Sequence, residues 1–271
     1  AEGANGSFMS EEDEDRVEFV KNCIHAGAEL FNKRAVIHTA PHHDDIELGY
    51  FPLFIQDSQT DRHTISYLTS GYRSVSDEFY LSRFEMMKVE YQLNQPLDPV
   101  GYILNSNLEA KWLGRHQEAL KWEARYLLSR LKDELHSQGM SPAKLESELT
   151  HFFDHTLIEE SHTHYTHFIK SCVREWEGEL VWAHLGFESS QVHHLKLALY
   201  HGSHEEVVQN IEEIAKPFFH QMEEIKPDMI TVIQDPEASA PKTHYRCLLA
   251  VREAVRQYLE KYPQSELEVW A

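Results

Sequence analysis

Ala35-Val36-Ile37-His38-Thr39-Ala40 runs directly into Pro41-His42-His43-Asp44-Asp45, and the fold of this chain is read from that junction. The apolar-rich stretch has the length and composition of a short buried strand, and a polar run follows it without a spacer. Polar residues at the carboxyl end of a strand are a candidate site. Immediately downstream, Ile46 to Gln56 reads as a short helix and His63 to Leu68 as a second strand, closed by Thr69-Ser70-Gly71. Strand, helix and strand in that order make a βαβ unit and therefore a parallel sheet.

Working outward, the chain turns helical from roughly Ser74 to Cys172, where Leu113, Leu120, Ala124, Leu127, Leu131 and Leu135 recur at helical spacing. Ser141-Pro142 supplies a cap and a first-turn proline for a further helix. The α/β pattern then resumes. Val192 to Leu197 reads as a strand, and Ser203-His204-Glu205-Glu206 as a capping box opening a helix through Val207, Ile211, Ile214, Phe218 and Met222, with a kink expected at Pro217. Asp228 to Ile233 is another buried strand. It leads through Gln234-Asp235-Pro236 to Thr243-His244 and a closing helix to about Tyr258. The expected fold is therefore α/β: a Rossmann-like, mostly parallel sheet flanked by helices. One domain is expected over 17–271, with a helical insertion at about 74–171 and a disordered acidic tail or cloning remnant at 1–16.

Composition narrows the partners. The 271 residues include 45 acidic and 25 basic side chains, a net charge of -20 that repels phosphate backbones and anionic membrane surfaces. Nucleic acid and membrane are not expected partners, and no stretch has the length of a spanning helix. Cys23, Cys172 and Cys247 show no C-x-x-C pairing, so all three are read as buried thiols in a reducing, cytoplasmic setting. A homo-oligomer is compatible with these numbers.

In doubly wound sheets, ligands bind outside the carboxyl ends of the strands. The loops Pro41 to Asp45 and Gln234 to His244 both fall there, which draws His42, Asp44, Asp45 and His244 into one region. Two histidines and one carboxylate leave a fourth zinc position open for water, which the metal acidifies toward neutral pH. A further carboxylate beside that water can take its proton and pass it to a leaving nitrogen.

The stretch Ala40-Pro41-His42-His43-Asp44-Asp45-Ile46-Glu47-Leu48-Gly49 resembles the His-Pro-Asp-Asp signature of the PIG-L/LmbE-like zinc de-N-acetylases. Thr69-Ser70-Gly71 resembles the family's Thr-x-Gly, Arg174-Glu175-Trp176-Glu177 its Arg-x-x-Glu helix, and Asp235-Pro236 with Thr243-His244-Tyr245-Arg246 its distal ligand loop. The resemblance spans about Ala35 to Gly71 and Cys172 to Leu259. It implies that Zn2+ or a similar divalent metal is held by His42, Asp45 and His244. It further implies that Asp44 is the general base, that Arg174 lies near the substrate, and that the substrate is an N-acetyl amino sugar or related conjugate.

Two departures stand out. His43 occupies the usual proline of the signature and is expected to point away from the metal. Pro241 stands where many members carry a second histidine that polarises the substrate carbonyl, a loss worth about 2–4 kcal/mol of transition-state stabilisation if nothing replaces it. Pro241-Lys242-Thr243-His244 is similar to members fused or annotated with glucosamine-6-phosphate deaminase, although nothing in the chain looks like the separate domain that deamination uses. The alternatives are an impaired sugar-binding or regulatory member, or a metal-dependent hydrolase of another bond. Among simpler readings, His-His-Asp-Asp alone would be a solvated turn, and Arg174 with Glu177 a surface pair. His151, His155, His162, His164 and His167 invite a second metal site, but 19 histidines make chance clustering common.

Overall fold

The computed structural model describes residues 11–28, 34–51, 62–155, 164–200, 203–234 and 242–271. Asp235-Pro236, Pro241 and His162, on which parts of the sequence reading rest, lie outside these. A five-stranded parallel sheet carries the fold. Its strands are β1 (Val36–Ala40), β2 (His63–Tyr67), β3 (Val192–His194), β4 (Met229–Thr231) and β5 (Glu268–Trp270). They lie in the order β3-β2-β1-β4-β5. β1 and β2 are buried along their whole length, as expected of parallel strands covered on both faces. The chain builds outward from β1 through β2 to β3 and then crosses to β4 on the opposite side of β1. The reversal leaves a crevice between the carboxyl ends of β1 and β4, where doubly wound sheets bind their ligands.

Helices α1 (Glu11–Ala28) and α2 (Asp45–Gly49) flank β1 in sequence. Of the stretch 1–16 expected as a tail, residues 1–10 lie outside the described residues and 11–16 belong to α1. Cys23, on α1, is exposed rather than buried, unlike Cys172 and Cys247.

The helical block contains α3 (Asp77–Gln92), α4 (Val100–Trp112), α5 (His116–Ser137), α6 (Pro142–His155) and α7 (His164–His184). Leu113 ends α4 and is exposed, so the leucine face expected from there on begins only in α5. At α6, Ser141 Oγ accepts from the Lys144 amide, the cap that Ser-Pro implied. The block has its own core, in which Tyr80, Phe84, Ile103, Tyr126, Leu131 and Trp176 meet.

α7 belongs to two cores at once. Ile169, Val173, Trp176 and Leu180 face the helical block, whereas Trp182 packs on Ala40, Ile65 and Tyr67 of the sheet. The opposite sheet face is covered by α8 (His204–Gln209), α9 (Ile211–Ile225) and α10 (Lys242–Lys261). Here Val207, Phe218, Met222, Val251 and Tyr258 close over Ile37 and Ile230. The capping box at Ser203 and Glu206 is formed in both directions. α9 runs through Pro217, and the helical break falls earlier, at Asn210 between α8 and α9. Among the described residues no helix is long and apolar enough to cross a membrane.

Candidate metal centre

β1 ends at Ala40, and the next residues turn sharply into α2. This turn is held to β2: the Thr69 hydroxyl donates to the Pro41 carbonyl (2.7 Å) and the Thr69 amide donates to the same oxygen (3.3 Å). Since the Thr69 hydroxyl hydrogen is used there, its oxygen accepts from the Tyr200 hydroxyl (2.9 Å), which in turn accepts from the Gly71 amide (3.1 Å). Gly71 sits at φ 65°, a left-handed conformation that a residue without Cβ adopts freely.

From this turn His42 and Asp45 project together. The His42 amide donates to Asp45 Oδ2 (2.6 Å), fixing the carboxylate, and His42 Nδ1 lies 3.5 Å from the same oxygen. His244 arrives from the first turn of α10, aimed by Cys247 and Val251 on the same helix face, both buried in the sheet core. Its Nε2 lies 2.9 Å from His42 Nδ1 and 3.6 Å from Asp45 Oδ2. Arg246 ties the start of α10 down by donating to the Leu199 carbonyl (2.8 Å).

These three residues, 202 positions apart at their extremes, offer ligand atoms within 4.8 Å of one another. In a tetrahedral zinc site with bonds of about 2.0–2.2 Å, ligand atoms stand about 3.3 Å apart. The three measured separations bracket that value, so the donor set fits zinc in both chemistry and spacing. Burial and the neighbouring Asp45 carboxylate push the Cys247 thiol far above its ordinary range, and Cys247 is not among the converging donors. Among the described residues no other group of three such donors converges, so the histidines of 151–167 form no described second site. His167 instead stacks on Tyr72, with ring centroids 4.4 Å apart.

Asp44 stands apart from the triad, with its side chain 59% exposed, and faces Arg174 Nη2 at 3.5 Å. Arg174 is largely covered and also pairs with Glu177 one turn on, beside the site loop. Glu47 lies below the turn, where burial lifts its carboxyl to about 7 against the hydrogen bond from the Tyr67 hydroxyl.

His43 points away from the triad into a polar line that sequence reasoning missed. Its ring stacks on Tyr67 beside His194, and its Nε2 lies 3.1 Å from His194 Nδ1. His194 Nε2 lies 3.2 Å from Glu179 Oε1, which also accepts from Arg130 (2.5 Å) and the Tyr126 hydroxyl (2.9 Å). Burial first, then His194, Arg174, His42 and Lys196, hold the His43 imidazole well below its ordinary range, and hence neutral. Comparisons with protein-family models, with curated proteins and with solved structures gave no match.

Proposed function

We propose that the chain is a zinc-dependent hydrolase that removes an acetyl group from an N-acetylated amino sugar or a related conjugate. The convergence of His42 Nδ1, Asp45 Oδ2 and His244 Nε2 at zinc-like spacing carries this reading. Those three residues would hold the ion, and zinc in such a set acidifies water and polarises a carbonyl. The residue chemistry then divides simply. Asp44, exposed beside the ligand turn, takes the proton of the attacking water and delivers it to the nitrogen as the carbon–nitrogen bond breaks. Arg174 pairs with Asp44 and offers further N–H donors to the oxygens of a bound sugar. The amino-sugar class comes from the resemblance of the loop sequences.

The Asp44→Asn variant tests the assignment. It should keep a full equivalent of zinc while acetate release from N-acetylglucosamine or its conjugates falls by about 10²–10⁴-fold. Loss of zinc would make Asp44 a ligand, and unchanged turnover would move the proton transfer to another group.

A further inference from the structure

β2 leaves the sheet through Thr69-Ser70-Gly71 and enters one tight turn, Tyr72–Ser74, closed by Ser74, whose hydroxyl (2.8 Å) and amide (3.1 Å) both donate to the Gly71 carbonyl. The turn presents Arg73, which is exposed. Its Nη2 donates to the Tyr200 carbonyl (3.0 Å) and its Nε to the Tyr72 hydroxyl (3.4 Å), and the guanidinium carbon stands 5.0 Å from the centre of the Tyr200 ring. A cation is attracted to an aromatic face at this range, so the head group is positioned. Of the five N–H groups of a guanidinium, these bonds use only part. The neighbouring cations are matched by carboxylates: Arg174 by Asp44 and Glu177, Lys196 by Glu175, and Lys170 by Asp77. Among the described residues Arg73 makes no ion pair, in a chain whose net charge is -20.

Tyr200 sets where that charge stands. Its hydroxyl bonds the Thr69 hydroxyl, which donates to the Pro41 carbonyl one residue before His42. On its other side the Leu199 carbonyl accepts from Arg246, two residues after His244. The segment that holds Arg73 is therefore bonded to both pieces of chain that bring the metal-site residues together, the ligand turn and α10.

We propose that Arg73 is the anion-recognition residue of this site, and that its uncommitted N–H groups take a phosphate or carboxylate carried by the substrate away from the amide that is cleaved. The proposal rests on the hydrolase reading and narrows its substrate class to anionic N-acetyl amino sugars. A planar guanidinium offers paired donors to two oxygens of an oxyanion, a match that a neutral sugar hydroxyl does not provide.

Calorimetric titration of the full chain in zinc-containing buffer compares three probes: N-acetylglucosamine, its 6-phosphate, and N-acetylmuramic acid, which carries a carboxylate. At least one anionic sugar should bind about tenfold more tightly than the neutral one, and which of them does so separates phosphate from carboxylate. In Arg73→Gln that ratio should fall below about twofold, while Arg73→Lys, which keeps the charge but not the paired donors, should give an intermediate ratio. A merely structural Arg73 would weaken all three probes alike, so an unchanged ratio in Arg73→Gln overturns the proposal, as does a wild type that binds neither anion more tightly than the neutral sugar. Acetate release measured in parallel separates the two claims. An Arg73-dependent anion preference without acetate release would sink the hydrolase reading alone, and acetate release with no anion preference would sink the role of Arg73 alone.

Discussion

Taking away one imidazole from His42, Asp45 and His244 leaves two donors, which cannot hold zinc against water and buffer. His42→Ala and His244→Ala should each retain less than about a tenth of the wild-type zinc after dialysis against a weak chelator, read by metal analysis. Full retention in both would remove the basis for the centre. The triad is legible in sequence because each member lies just beyond an apolar strand or at the start of an apolar helix, where a polar residue has few structural reasons to be. The surroundings of His43 are not legible. Its partners come from β3 and α7, and in a chain with 19 histidines a pairing of His43 with His194 carries no signal until the fold joins them.

At the scale of elements, α7 joins the helical block to the sheet, and two of its residues make that joint testable. A Cβ on Gly178 would stand 2.9 Å from the Tyr67 ring, so helix and strand touch with no room for a side chain. Gly178→Ala should therefore cost about 1–3 kcal/mol in denaturant unfolding, despite the better helix propensity of alanine. A more stable variant would show that the contact yields easily. Three residues before Gly178, Glu175 is buried beside Lys196, with Oε1 and Nζ 2.7 Å apart. Burial would raise its carboxyl, but His194, Lys196 and Arg130 outweigh burial and hold it below its ordinary value of 4.5. A depressed carboxylate stabilises the fold above its unfolded value, and that stability is lost as pH falls through the folded value. Glu175→Gln should cost about 1–3 kcal/mol at pH 7, moderated by the exposed side of Lys196, and the gap to wild type should close on acidification. A gap that stays constant from pH 7 down to pH 3 would show that Glu175 is not depressed. Strand β5 escaped the sequence reading for a physical reason. Glu268, Val269 and Trp270 are all exposed at the sheet edge, so no buried apolar run or alternation marks them.

For the molecule as a whole, the α/β class was readable from the βαβ opening, and the helices between β2 and β3 from the periodicity that follows it. Binding at the centre should also register in global stability. At zinc concentrations about 100-fold above its dissociation constant, the folded state gains about 2.7 kcal/mol if the unfolded chain binds none. Thermal unfolding with and without chelator should show this gain in the wild type and not in His244→Ala. An equal gain in that variant would place the bound metal elsewhere. The separation of 202 residues between His42 and His244 also sets an order of events in the cell. A chain leaving the ribosome presents His42 and Asp45 early, as a half-site with two donors, and the third arrives only when Lys242–Lys261 has emerged and docked on the sheet. A metal held as proposed would therefore meet only two of its three donors during the early stages of folding. On the proposed reading the full donor set exists only once the sheet has assembled, so metal supply acts on the folded chain and, through it, on the folded fraction.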